Sequence, residues 1–189
     1  MGTSILLRCE KWVLAVSLLL FSGCVASSTN NTLAARDLQT AQDGVVLPTV
    51  QVTDLNGTDL VFPKDFSTDC NVIVFGFAHE QKDKVKAWID PLNEKLKDLK
   101  NCSLYEIPVI DSSSAALRLM IRNGMRMGIT DPVARSRTAT LFINREIFLQ
   151  ALKIPDATEP FAGVFDHDGR LMAFNRGQSS EESVSNLLK

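Results

Sequence analysis

The sequence predicts an α/β fold in which a mixed central sheet carries helices on both faces. Residues 72–77 form an apolar run of strand length, and a helical apolar pattern and a second strand-like run at 103–110 follow it. A strand–helix–strand unit of this kind implies parallel neighbours joined by a right-handed crossover. Hairpin signals stand on either side of this unit, at Asn56-Gly57 and at 161–174. The hairpins add antiparallel strands, so the sheet is predicted to be mixed.

Length and composition fit one domain with an appendage. The chain has 189 residues, too few for two well-buried cores. Its net charge of −2 excludes general nucleic-acid binding, which needs a strong basic excess. The apolar fraction of 45% excludes a chain that is disordered throughout.

Residues 1–24 have the pattern of a secretory signal. Arg8 and Lys11 supply positive charge, the apolar run 12–21 follows, and small residues come next. That run is shorter than the roughly 20 residues that a membrane-spanning helix needs, so it is not predicted to remain as a span.

The end of the signal resembles the lipobox of bacterial lipoproteins, in which Cys24 becomes the lipidated N-terminus. Cleavage after Ala26, which gives a free secreted protein, is the alternative. Residues 25–44 are rich in Ser, Thr, Asn and Ala and are predicted to be a flexible tether. The folded domain then spans 45–189. These features predict a bacterial envelope protein that is lipid-anchored and faces the periplasm. Val25, and not Asp, follows Cys24, which favours the outer membrane by analogy with lipoprotein sorting in enteric bacteria.

The first elements of the domain are a hairpin, a buried strand and an amphipathic helix. The hairpin lies in "PTVQVTDLNGTDLVF", and "NVIVFGFA" carries the strand. The helix has an apolar stripe at intervals of three and four residues: Val85, Trp88, Ile89, Leu92, Leu96 and Leu99. Pro91 lies within it and removes one backbone donor.

A second strand and helix follow. "SLYEIPVI" is the strand, and Pro108 favours a place near its end. Residues 112–114 are serines that can cap a helix running to about Met127. Its predicted buried face consists of Leu117, Met120, Ile121, Gly124 and Gly128. Its arginines, Arg118, Arg122 and Arg126, recur on another face.

The last third of the sequence predicts an inserted strand and a short helix before the final hairpin. "TATLFI" is the inserted strand and "REIFLQAL" the short helix. "FAGVF" and "RLMAF" form the hairpin around the turn 166–169, and a last helix begins with capping-box spacing near Ser180.

Three stretches, taken in order, resemble the thioredoxin-like superfamily, in the branch of antioxidant reductases and membrane-anchored thiol-disulfide proteins. They are "VQVTDLNGTDLVFPKDF", "NVIVFGFA" and "PFAGVFDHDGRLMAF". The resemblance implies that Pro160 occupies the position of the family's cis-proline. It also places Gln81-Lys82-Asp83-Lys84 where the enzymes carry Cys-x-x-Cys. Because thiol exchange needs an attacking thiolate, that helix tip cannot perform it.

A narrower resemblance is to the mitochondrial ATP synthase assembly-factor family. It rests on "HEQKDKVKAWIDP" and on "MRMGITDPVARSRTATLFINREIFLQALKIPD". It implies a bacterial or organellar relative and does not imply that this chain assembles an ATP synthase.

Cys70 and Cys102 each stand directly before a predicted core strand. If those strands are parallel neighbours, both cysteines lie at one end of the sheet, opposite the usual active-site end. A disulfide between the strand starts is predicted, since an oxidising compartment favours it. Two separate thiols and a working redox pair are the alternatives.

The other candidate site residues are assigned to partner binding. His79, Glu80 and Gln81 follow the central strand, Pro160 lies in a loop of the same face, and Arg135 and Arg137 precede the inserted strand. No catalytic residue is predicted among them. No metal or cofactor site is predicted either, because His79 and Glu80 lack further ligands of suitable type.

Three functions are consistent with these residues. The first is a redox-inactive envelope lipoprotein that binds a protein partner, as an assembly or stabilising factor. The second is a thiol-disulfide or peroxide oxidoreductase that uses Cys70 and Cys102. The third is an anion sensor that uses the arginines. The oxidoreductase requires a solvent-accessible thiol, which the redox-inactive lipoprotein does not. A buried, permanently oxidised cysteine pair would exclude the oxidoreductase.

Overall fold

The computed structural model describes residues 39–40, 44–111 and 114–189. The predicted signal, the lipidation site Cys24 and most of the predicted tether lie outside these residues. Within them, no helix is both long and apolar enough to cross a bilayer.

Eight strands of the described chain form one mixed sheet. They are β1 (Gln39–Thr40), β2 (Val50–Asp54), β3 (Asp59–Phe62), β4 (Cys70–Gly76), β5 (Cys102–Asp111), β6 (Ala139–Ile143), β7 (Phe161–Phe165) and β8 (Leu171–Arg176). Their spatial order is β1-β8-β7-β4-β5-β6-β2-β3. The β4–β5 and β5–β6 pairs are parallel and the other pairs are antiparallel. The predicted mixed sheet is confirmed, with one strand, β1, inside the range predicted as a tether.

The described chain has five α-helices, four between strands and one after the last strand. They are α1 (Lys82–Leu96), α2 (Ala115–Gly128), α3 (Pro132–Arg137), α4 (Arg145–Ala151) and α5 (Glu181–Leu187). A short 3-10 helix, His79–Gln81, precedes α1. The sequence analysis did not predict α3, although Asp131 caps it and Pro132 opens it, which is a typical helix start.

The core has two parts, one on each face of the sheet. Phe62, Phe75 and Phe148 belong to the part that α4 covers. Trp88 and Val184 belong to the part that α1 and α5 cover. Fully burying a side chain of this kind contributes about 1.5–3 kcal/mol, so helices on both faces stabilise the central strands.

Helix α1 packs through the predicted stripe, with one exception. Its buried residues are Val85, Trp88, Ile89, Leu92 and Leu96. The Trp88 indole N–H also donates to the Gly177 carbonyl at 2.8 Å. Leu99 was wrongly included, because the helix ends at Leu96 and the Leu99 side chain is 43% exposed.

Helix α2 has no buried residue, so its predicted buried face is wrong. Met120 and Met127 are 70% and 79% exposed. Arg118 and Arg122, predicted on the face away from the core, are half-buried, and the Arg118 guanidinium lies 5.2 Å from the centre of the Phe142 ring. Arg118 and Arg122 are therefore turned toward the sheet, whereas Arg126 and the most exposed apolar side chains point to solvent.

Both predicted hairpin turns are present. Gly57, between β2 and β3, has φ of +95°, and Gly169, between β7 and β8, has φ of +80°. Glycine adopts this left-handed conformation at little cost. At Gly169 a Cβ atom would also lie 2.9 Å from the Pro63 ring, so both backbone and space favour glycine there.

Candidate functional site

The two cysteines lie side by side at the start of the central strands. Cys70 is the first residue of β4, Cys102 is the first residue of β5, and the two are register partners in the parallel pair. Their sulfurs are bonded at 2.08 Å, and their Cα atoms are 4.5 Å apart. The residue pairing predicted from the strand starts is therefore present.

The disulfide is only half-buried. Cys70 and Cys102 pack against the part of the core under α1 and α5, yet both keep exposed surface. A reactive cysteine needs solvent or substrate access, which a fully buried pair lacks. Burial of the cysteine pair therefore does not exclude a redox role.

A cleft of about 380 Å³ opens beside Cys102. The end of α1, the first residues of β5 and helix α3 form its walls. Residues that line it include Asn93, Lys97, Cys102, Tyr105, Ser136 and Arg137. It is a depression that is largely open to solvent and not an enclosed cavity.

Two cations lie in the walls of this cleft. Lys97 pairs with Glu94 at 2.7 Å, and Arg137 donates to the Asn93 side-chain oxygen. Positive charge near a sulfur favours the thiolate over the thiol. The cleft therefore carries positive charge in the same walls as Cys102, and the Glu94 carboxylate offsets the charge of Lys97.

Glu106 lies four residues beyond Cys102 on β5. Burial raises the pKa of Glu106 above its ordinary value, and Arg137 opposes this shift through its positive charge. The nearby Asp90 adds to the increase. Burial disfavours the charged carboxylate, so Glu106 holds a proton at a higher pH than a solvated glutamate does.

The predicted partner-binding residues around α1 are only partly available. His79 and Glu80 are exposed in the 3-10 helix, at the opposite end of β4 from Cys70. Gln81 is buried: it accepts from the Phe77 N–H at 2.9 Å and donates to the Ala157 carbonyl at 2.8 Å. Gln81 therefore joins two loops of the fold and does not present its amide to a partner.

The implied role of Pro160 as a cis-proline is wrong. The only cis peptide bond among the described residues is Phe62–Pro63, and Pro160 is buried after a trans bond. Its neighbour Glu159 pairs with Lys84 at 2.7 Å. This loop thus packs beside α1, but it does not have the predicted backbone geometry.

Arg135 and Arg137 do not join His79 in one surface. Helix α3 leads into β6, which runs parallel to β5 and β4, so these arginines lie at the cysteine end of the sheet. Arg135 donates to the Ile129 carbonyl at 2.5 Å and to the Arg126 carbonyl at 2.8 Å, at the end of α2. The residues predicted to bind a partner are therefore divided between opposite ends of the sheet.

Asn93, Lys97 and Ser136 line the cleft but were not among the predicted site residues. Ser136 had not been assigned to a helix. The Asp-Pro pair before α3 was an available signal for that helix. Within the described ranges no group of three His, Cys, Asp or Glu side chains is placed to hold a metal ion.

Neither the known family models nor the curated proteins contain a match to the chain. Solved structures do match. The thioredoxin domain of a thiol-disulfide oxidoreductase from Bacteroides vulgatus has a TM-score of 0.50 and 15% identity over 80% of this chain and 96% of that one. Yeast Sco1 with copper bound has a TM-score of 0.50 and 15% identity over 78% of this chain and 92% of that one. Identities this low show a shared thioredoxin-like fold and nothing further.

The prediction of a redox-inactive, partner-binding domain is wrong. It rested on the loss of sulfur from the tip of α1, at Gln81–Lys84. The chain keeps a bonded cysteine pair, Cys70–Cys102, at the other end of the same strand, in a fold that thiol-disulfide oxidoreductases share. The second hypothesis, which uses these two cysteines, fits these findings better.

Proposed function

We propose that this protein is a thiol-disulfide redox protein whose reactive group is the Cys70–Cys102 pair. The observation that carries the proposal is the position of this disulfide: it is half-exposed, and Cys102 lines an open cleft. A structural disulfide has no need of such access. Arg137 lines the same cleft and has the neutral Asn93 amide as its hydrogen-bond partner, so its charge supports the proposal by favouring a thiolate formed nearby.

The exchange requires no group beyond the two protein sulfurs and two substrate thiols. A substrate thiolate attacks Cys102, the Cys70–Cys102 bond breaks, and Cys70 leaves as a thiolate. A second substrate thiol then attacks the mixed disulfide and releases Cys102. The substrate loses two electrons and becomes a disulfide, and the protein gains them as two thiols.

The proposed location is the cell envelope. An exported protein reaches an oxidising compartment, where a disulfide forms and persists. Export through the signal at 1–24 and anchoring through a lipid on Cys24 are parts of this proposal. We also propose common descent with the mitochondrial ATP synthase assembly-factor family, on the two stretches given above. A protein disulfide or dithiol of the envelope is the proposed partner.

A redox titration tests this function. The native protein is equilibrated with glutathione buffers, and its free thiols are counted by alkylation and mass spectrometry. We expect reversible exchange with a reduction potential above about −300 mV, the value below which structural disulfides in secreted proteins typically fall. The double variant Cys70→Ser/Cys102→Ser controls for non-specific reaction. A potential well below that value, with no exchange in the folded protein, would overturn the proposal.

A further inference from the structure

Strand β5 has β6 as a partner over only part of its length. It pairs with β4 from Cys102 onward, whereas its ladder with β6 begins at Val109, after a single bridge at Glu106. Between Cys102 and Tyr105, β5 therefore has a strand on one side only. Strand β5 is therefore an edge strand over its first residues.

The open side of this edge faces the cleft. Ser103 and Tyr105 line the cleft, and Val133 and Ser136 of α3 stand in its other wall. A strand edge offers a row of backbone N–H and C=O groups, to which an extended chain can add as a further strand. The free stretch is short, which limits the added strand to a few residues.

We propose that this edge binds an extended polypeptide segment and holds a cysteine of that segment against Cys102. The substrate class is thus a protein or peptide thiol in strand conformation. The inference rests on the proposed redox function, because the segment is placed by its nearness to the disulfide. The backbone of β5 supplies recognition, and the sulfurs supply the chemistry.

Cys102 is the attacked sulfur in this arrangement, because it lines the cleft. The peptide thiolate forms a bond to Cys102 Sγ as the bond to Cys70 Sγ breaks, and Cys70 takes the electron pair. A second thiol of the same polypeptide then attacks the peptide sulfur of the mixed disulfide. The polypeptide leaves with an intramolecular disulfide, and Cys102 leaves as a thiolate.

Backbone methylation of a peptide probe tests the proposal. Two six-residue peptides of β-branched residues carry one cysteine each, and one of them has N-methyl groups on alternate amides. Formation of the mixed disulfide with the oxidised protein is followed by mass spectrometry. A third reaction uses glutathione. We expect the unmethylated peptide to react about tenfold faster than the methylated peptide and glutathione, because methylation removes the donors that pair with the edge.

Two tryptophan variants locate the effect. Ser136→Trp places a large ring in the cleft and should abolish the preference for the unmethylated peptide. Met172→Trp adds the same ring on the exposed side of β8 and should leave the preference intact. Circular dichroism and thermal unfolding check that both variants fold.

The outcomes separate this inference from the redox proposal. If all three thiols exchange with the disulfide at equal rates, the edge does not bind substrate, although the redox proposal stands. If none of them reacts with the folded protein, the redox function fails and the inference fails with it. A preference that survives in Ser136→Trp would also overturn the inference.

Discussion

Glu106 shows how one buried side chain makes stability depend on pH. Its pKa is raised in the folded state, so the folded protein binds this proton more tightly than the unfolded chain does. The corresponding stability is present below the unfolded pKa, near 4.3, and is lost as the pH rises through the higher folded pKa. The carboxylate that forms is poorly solvated, and the charges of Arg137 and Lys86 and a hydrogen bond from Thr138 offset this cost only in part.

We expect Glu106→Gln to remove this pH dependence. At neutral pH the variant should be more stable than the wild type, because no buried carboxylate has to ionise. At pH 4 the difference should shrink, since the wild-type side chain is then neutral as well. Urea unfolding at both pH values measures this difference. A variant that is less stable than the wild type at neutral pH would show that the charged form of Glu106 is the favoured one.

Gln81 shows why a residue type at a site does not define its role. Its position after the central strand and before α1 suggested a contact residue. The side chain instead connects the Phe77 N–H with the Ala157 carbonyl inside the fold. An amide can donate and accept at once, so it satisfies two buried backbone groups that would otherwise lack partners.

At the scale of elements, α1 and α2 have similar apolar periodicity but different packing. Five residues of α1 are buried, whereas α2 has none. Two arginines of α2, Arg118 and Arg122, turn toward the sheet, where Arg118 lies over Phe142. A guanidinium stacks favourably on an aromatic ring, and its long aliphatic stem covers apolar surface.

We therefore expect equivalent truncations in the two helices to differ in cost. Leu92→Ala in α1 should lower the free energy of unfolding by about 2–5 kcal/mol, because it leaves a cavity in a packed core. Met120→Ala in α2 should change it by less than about 0.5 kcal/mol, since the side chain is largely in solvent. Chemical denaturation of both variants provides the measurement. A large loss for Met120→Ala would mean that this face is covered in solution.

At the scale of the molecule, the disulfide joins two strands across the βαβ unit. The bond spans a sequence separation of 32 residues, which includes all of α1. In the chain-entropy model, closing a loop of this length stabilises the folded state by about 3–4 kcal/mol.

We expect Cys70→Ser/Cys102→Ser to lose a large part of this amount while keeping the fold. The cysteines lie at the margin of one part of the core, and other side chains make up most of both parts, so the far-ultraviolet circular dichroism should remain unchanged. Unfolding in urea, with the oxidised wild type as reference, measures the loss. Equal stability of the two proteins would show that the bond does not constrain the unfolded chain.

Much of the fold was predictable because its signals are local. The alternation in "PTVQVTDLNGTDLVF", the stripe of α1 and the turn at Asp166–Gly169 each depend on neighbouring residues, and each is confirmed. The burial of α2 was mispredicted because a hydrophobic period gives a helix an apolar face without saying which face the sheet covers. Helix α3 is only six residues long, so its hydrophobic period was too short to recognise.

The sequence by itself determined the strands, most helices and the placement of two cysteines at strand starts, because these follow from backbone preference and periodicity. Only the tertiary structure decided that Cys102 lines a cleft and that the first residues of β5 have no strand on the side of that cleft. Both features depend on where β6 begins relative to β5 and on how α3 lies against α1. Such offsets arise from contacts between residues far apart in the chain, and no local pattern records them.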